Sequence, residues 1–230
     1  MVSKNVRELA QQAHDNCMSR GDAVLLQAES ASEHLLLWLG YLKEIEKDNA
    51  ANCLLEGAAS AIREAAACIA LGLVRPALNS LRLQIDLFLA WLYFKDHKVE
   101  WERVQSKGDG FKLKNEIIKY LGDNFDAFSR RYGVLEAIKQ RREKEPYRLL
   151  SAHVHGQSEP ALPKIESPAD VVASISLQDE AIALQKECSE YIGDILYSLY
   201  SNNWHALPSN LHPALIARFK TKPQQAEFFE

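Results

Sequence analysis

No stretch of four to eight residues in this chain alternates apolar and polar side chains with β-branched enrichment, whereas apolar residues recur at helical spacing almost everywhere. That periodicity argues against a sheet architecture and predicts an all-α fold. Successive stripes predict helices over residues 3–19, 23–47, 49–73, 76–97, 111–121, 125–132, 134–153, 177–203 and 213–220. Arg20-Gly21-Asp22 reads as a stop between the first two, and Arg75-Pro76 opens the fourth, since proline suits a first helical turn. Gly156 to Pro168 holds three prolines and is the clearest loop. Nothing repeats, and no linker splits the chain. The expectation is one domain, residues 1–230, with helices packed side by side as an antiparallel bundle.

Composition narrows the function classes. A chain of 230 residues buries about 70% of its unfolded surface, enough to fold without disulfides or a structural metal. Its net charge of −4 argues against a protein that coats nucleic acid, though not against a local basic groove. The four cysteines, Cys17, Cys53, Cys68 and Cys188, form no Cys-x-x-Cys pair and read mostly as reduced, small core residues. The most apolar stretches, Leu35–Leu42 and Leu87–Phe94, fall far short of the roughly 20 residues of a membrane span. The first residues lack the apolar core of a signal peptide. A cytoplasmic location without membrane association is expected, and no cofactor is implied.

One segment carries chemistry: Glu145-Pro-Tyr-Arg-Leu-Leu-Ser-Ala-His-Val-His-Gly156. A guanidinium binds a phosphate through two parallel hydrogen bonds, and an imidazole titrates near neutrality. Arg148 and His153 could therefore hold a phosphodiester and move protons at it without a metal. On a helix the two lie on adjoining faces rather than the same one. Ser151 and His155 sit beside them, and Gly156 is a natural helix stop. His155 is the substitute base if His153 is buried and bonded to backbone. Two plainer readings remain: a histidine capping helix carbonyls, and Arg148 as a structural ion-pair partner. No acidic or cysteine ligand stands near His153 and His155 in sequence, so no metal site is expected there.

With its Arg, four to six residues, then His near the end of a late helix, the chain resembles the HEPN superfamily of helical domains. The run from Tyr147 to Gly156 is similar to one bacterial branch of it, as is the upstream Asn79-Ser-Leu-Arg-Leu-Gln-Ile-Asp86. The resemblance spans about residues 50–200. It implies a HEPN-like core over about 50–203, followed by a short helix and tail over 204–230. For catalytic members it implies a metal-independent endoribonuclease. Two protomers bring their motifs together, and the RNA 2′-hydroxyl attacks the neighbouring phosphate to leave a 2′,3′-cyclic phosphate. His153 would be the general acid or base, and Arg148 would stabilise the developing charge. Such proteins act in toxin–antitoxin or anti-phage systems, which implies a homodimer, RNA, and a cognate antitoxin or defence partner. The position after the arginine, often Asn, Asp or His in active members, is Leu149 here. A second reading follows: a non-catalytic helical module that binds a partner protein or a nucleotide ligand.

Two further features bear on the motif. Arg75, Asn79, Arg82 and Asp86 form one polar stripe, either a solvated face or a support in which Arg82 and Asp86 face the Arg148 region and fix its geometry; Tyr147 is a further supporting candidate. Residues 130–148 carry a local excess of four positive charges, with Arg131, Arg141, Arg142 and Lys144 among them. That run is either a mixed solvated face or a nucleic-acid-binding strip leading to the motif.

Overall fold

The computed structural model describes residues 2–230, and among them every regular element is helical. Helix α1 (Val2–Ile45) is followed by α2 (Asn52–Ala70), α3 (Val74–Phe94), α4 (Lys98–Lys107), α5 (Lys114–Asn124), α6 (Phe128–Ala137) and α7 (Pro146–His155). A long segment with two short 3-10 turns leads to α8 (Ile175–Tyr200), then α9 (His212–Ile216) and α10 (Lys222–Phe229). One hydrophobic core runs through these elements, from Val24, Leu35 and Trp38 of α1 to Phe228 of α10. Burying such side chains, at about 1.5–3 kcal/mol each, is the main force holding the domain together. Tyr191 and Tyr197 of α8 belong to this core. No helix among the described residues is long and apolar enough to cross a membrane.

Three expectations require correction. The stop predicted at Arg20-Gly21-Asp22 does not occur, and α1 is one helix of 44 residues. A mid-helix glycine costs about 1 kcal/mol, but tertiary bonds hold the turns just before this one. The Asn16 side chain donates to the Ala70 carbonyl at 2.8 Å and accepts from Gln178 at 2.8 Å, and Arg20 pairs with Asp179 at 2.5 Å. The second correction concerns residues 134–153, which are not one helix. Proline 146 pushes Glu145 to extended backbone (φ −129°, ψ 94°), and α7 starts afresh with Pro146 in its first turn. The third concerns the cysteines: only Cys188 is buried, while Cys17 and Cys53 are exposed.

Two glycines lock the connections around α7. Gly72, at φ +80° after α2, donates room as well as conformation: a Cβ there would lie 2.6 Å from Val172 Cγ1. Its carbonyl accepts from Ala173 N at 2.8 Å, joining the α2–α3 turn to the segment before α8. Gly156 ends α7 in the left-handed conformation (φ 60°, ψ 38°).

Candidate functional site: the two faces of α7

Helix α7 stands between α3 and α8 and is pinned at both ends. At its C-terminus Arg75 donates to the carbonyls of His153 (3.0 Å) and Ala161 (3.1 Å), so one side chain satisfies a helix-end acceptor and holds the following loop. At its N-terminus Leu150 and Pro146 are buried. This leaves two solvent-facing sides, and the motif is divided between them.

The first side carries Arg148. It lines an open cleft of about 460 Å³ with Lys114, Asn115, Glu145, Tyr147 and Ser151. Arg148 is exposed, and its guanidinium has no hydrogen bond or ion pair among the described residues. Ser151, three positions on, has a buried hydroxyl oxygen without a partner. His155 is exposed and lies seven positions on, about 20° from Arg148 around the helix and about 10 Å along it.

The neighbouring residues are tightly organised. Arg82 donates to the Tyr147 hydroxyl at 2.9 Å, lies over the Tyr147 ring at 5.1 Å, and pairs with Asp86 at 3.8 Å. The Lys114 ammonium approaches the same ring at 5.4 Å and pairs with Glu145 at 2.8 Å. Burial pushes the Asp86 carboxyl up, opposed by the Arg82 charge and a hydrogen bond from Tyr147. The polar stripe on α3 thus reaches Tyr147, immediately before Arg148. Two cations thus lie against the Tyr147 ring, and with Arg148 three cations stand here against two carboxylates.

The second side carries His153. Five positions from Arg148 is a rotation of about 140°, and His153 with Leu149 lines a different, larger cleft of about 700 Å³. His153 is half-buried. Burial, helped by the positive charge of Arg75, pushes its imidazole pKa down and favours the neutral ring near pH 7. Within one protomer Arg148 and His153 therefore do not converge. Arg148, Ser151 and His155 do share a side.

The expected nucleic-acid strip is not a strip. Arg131 is 4% exposed and spends its guanidinium on the Phe228 carbonyl (3.0 Å) and Asn202 (2.6 Å). Arg141 is also buried, 2.5 Å from Asp194 and 3.5 Å from Glu190. Neither can reach a phosphate, which corrects their assignment to nucleic-acid binding. Arg142 and Lys144 are exposed but paired, with Glu187 at 3.1 Å and Glu136 at 3.3 Å. Sequence reading missed the centre that claims Arg141. Asp194 of α8 also accepts from Arg218, and Glu190 forms an ion pair with Arg218 and accepts from Gln140 N. A lone aspartate between Tyr191, Ile192 and Ile195 on a core helix was the available signal.

Among the described residues no three His, Cys, Asp or Glu side chains cluster as a metal site. No protein-family model, curated protein or solved structure matches this chain.

Proposed function

We propose that this chain is a HEPN-like domain that works as a homodimeric, metal-independent endoribonuclease, with α2, α3, α7 and α8 as its antiparallel core. The observation that carries this reading is the unpaired, exposed Arg148 beside an unsatisfied Ser151 hydroxyl, with His155 two turns away on the same side. Arginine is the residue type suited to a phosphodiester, and the motif spacing with six intervening residues is the one that keeps Arg and His on one face. In this mechanism Arg148 binds the non-bridging phosphate oxygens. The imidazole of His155 takes the proton of the 2′-hydroxyl as its oxygen bonds phosphorus. The P–O5′ bond breaks, and the equivalent imidazole of a second copy returns a proton to the leaving 5′-oxygen. Arg82, Tyr147 and Asp86 hold the start of α7 in place. A cytoplasmic toxin or anti-phage role with a cognate antitoxin belongs to the same reading.

The test is cleavage of RNA by the full chain in EDTA. Arg148→Ala and His155→Ala should abolish a cyclic-phosphate product that wild type forms and His153→Ala retains. Loss in His153→Ala alone would return the base to His153. No cleavage of any RNA by wild type would favour the non-catalytic module. The engagement of Arg131, Arg141 and Arg142 by other residues supports that alternative, because it takes three cations out of the expected basic strip.

A further inference from the structure

The larger cleft beside α7 lies on the other side of that helix from Arg148. Its volume of about 700 Å³ suits a small-molecule site and greatly exceeds a packing defect. Its apolar lining comes from Leu149 of α7, Leu78 of α3, Leu184 of α8, and Leu162 and Ile165 of the segment before α8, with His153 beside them. Leu162 and Ile165 keep 50% and 48% of their surfaces exposed, so the apolar edge is open to solvent.

The charges around it are mostly negative and unevenly engaged. Glu143, Asp170, Glu180 and Glu187 stand there against Arg75 and Arg142. Arg75 is occupied by two carbonyls, whereas Arg142 gives only its Nε to Glu187 and stays exposed, with Glu143 and Glu180 close enough to feel its charge. Asp170 accepts the backbone N–H groups of Glu166 and Ser167. Glu143 and Glu180 remain exposed, without an ion-pair partner among the described residues. An anion entering the cleft would meet four carboxylates against one open guanidinium, that of Arg142. A cation would meet two free carboxylates and the His153 ring, whose nitrogens make no hydrogen bond among the described residues.

We propose that this cleft binds a small organic cation, its ammonium or amidinium head held by Glu143 and Glu180 and its aliphatic or aromatic body resting on Leu149, Leu162 and Leu184. The head satisfies carboxylates that are otherwise solvated, and the body covers apolar surface that the fold leaves open. The site is separate from Arg148 and His155, so it stands or falls independently of ribonuclease activity.

The probes are 4-phenylbutylamine and 4-phenylbutyrate, which share a body and differ in the sign of the head. Binding to the full chain is followed by ligand-observed and His153 ring NMR. The amine is expected to bind saturably in the low millimolar range, to shift the His153 resonances, and to exceed the carboxylate by about threefold or more. Glu143→Lys with Glu180→Lys changes two exposed side chains, so the fold persists, and should invert that preference. Equal binding of the two probes, tighter binding of the carboxylate, binding of neither, or amine binding unchanged in the double variant would each overturn the proposal.

Discussion

Arg141 and Arg148 are seven residues apart in one basic run, yet they occupy opposite electrostatic situations. The Arg141 side chain has no exposure and lies against the fully buried Asp194, with the Tyr191 ring 5.5 Å below it. Arg148 is exposed and has no partner among the described residues. The difference teaches that a cluster of like charges in sequence is not a surface. A buried carboxylate elsewhere in the chain takes the guanidiniums it can reach, and only the remainder is available to a ligand. Asp194 takes Arg141 and Arg218, and Glu190 between them completes a four-charge knot. The knot ties α8 to the α6–α7 connection and to the chain after α9.

The sharpest way to break this comparison is to remove the carboxylate. Asp194→Ala would leave two guanidiniums sharing Glu190 in a buried site. Stability should fall by about 3–5 kcal/mol in urea unfolding, the usual cost of uncompensated buried charge. A loss below about 1 kcal/mol would mean that water already reaches the knot, and Arg141 and Arg148 would then differ far less than the geometry says.

The next effect comes from His34 of α1, which lies beside the same knot. Its Nε2 accepts from the Trp38 indole at 3.2 Å, and a Cβ on Gly193 would approach the ring at 3.3 Å. Burial, then the Arg218 charge, pushes its pKa down to about 4, with Asp194 opposing. The unfolded chain binds this proton near pH 6.5, so between about pH 6.5 and 4 the unfolded state carries more protons than the folded one. The stabilisation by neutral His34 is complete above pH 6.5 and is lost as pH falls toward 4, by on the order of 2–3 kcal/mol. Urea midpoints measured across that window should fall less steeply in His34→Gln than in wild type. Parallel curves would remove His34 from the titration.

What the sequence could reveal divides along the same line. Helical periodicity and Gly156 at a helix stop are local, and both are visible in the chain itself, whereas the apolar spacing carries a helix straight through Pro146. So was the division of the motif: five positions on a helix separate Arg148 from His153, and seven reunite Arg148 with His155. The break between α6 and α7 was only half legible. Proline 146 announces it, but the pull of Asp194 on Arg141 comes from 53 residues away. The continuity of α1 was hidden for the same reason, because Asn16 is held by Ala70 and Gln178. The larger cleft joins α3, α7, α8 and a proline-rich segment, and no local pattern contains it.

Arg142 is the intermediate case and sharpens the comparison by a smaller amount. Its side chain is 75% exposed, whereas its partner Glu187 is 8% exposed. Glu187 also accepts from Glu143 N at 3.1 Å, so loss of the guanidinium leaves it a backbone donor. Arg142→Ala should therefore lower stability far less than Asp194→Ala, measured by the same urea unfolding. A cost approaching that of Asp194→Ala would move Arg142 into the structural class.

Arg148→Ala should change stability least, within about 0.5 kcal/mol, because an exposed side chain without a partner leaves nothing unsatisfied when removed. Its cost appears instead in function. If Arg148 stabilises charge developing on a phosphate, RNA cleavage should drop by about 10²–10³-fold, the scale for losing one such donor. Arg148→Lys separates the roles. A lysine keeps the charge but loses the paired, planar hydrogen bonds, so it should restore RNA affinity more than cleavage. Equal restoration of both would reduce Arg148 to a point charge. A loss of stability in Arg148→Ala comparable to that in Asp194→Ala would erase the contrast between the two arginines, because it would show that both serve the fold.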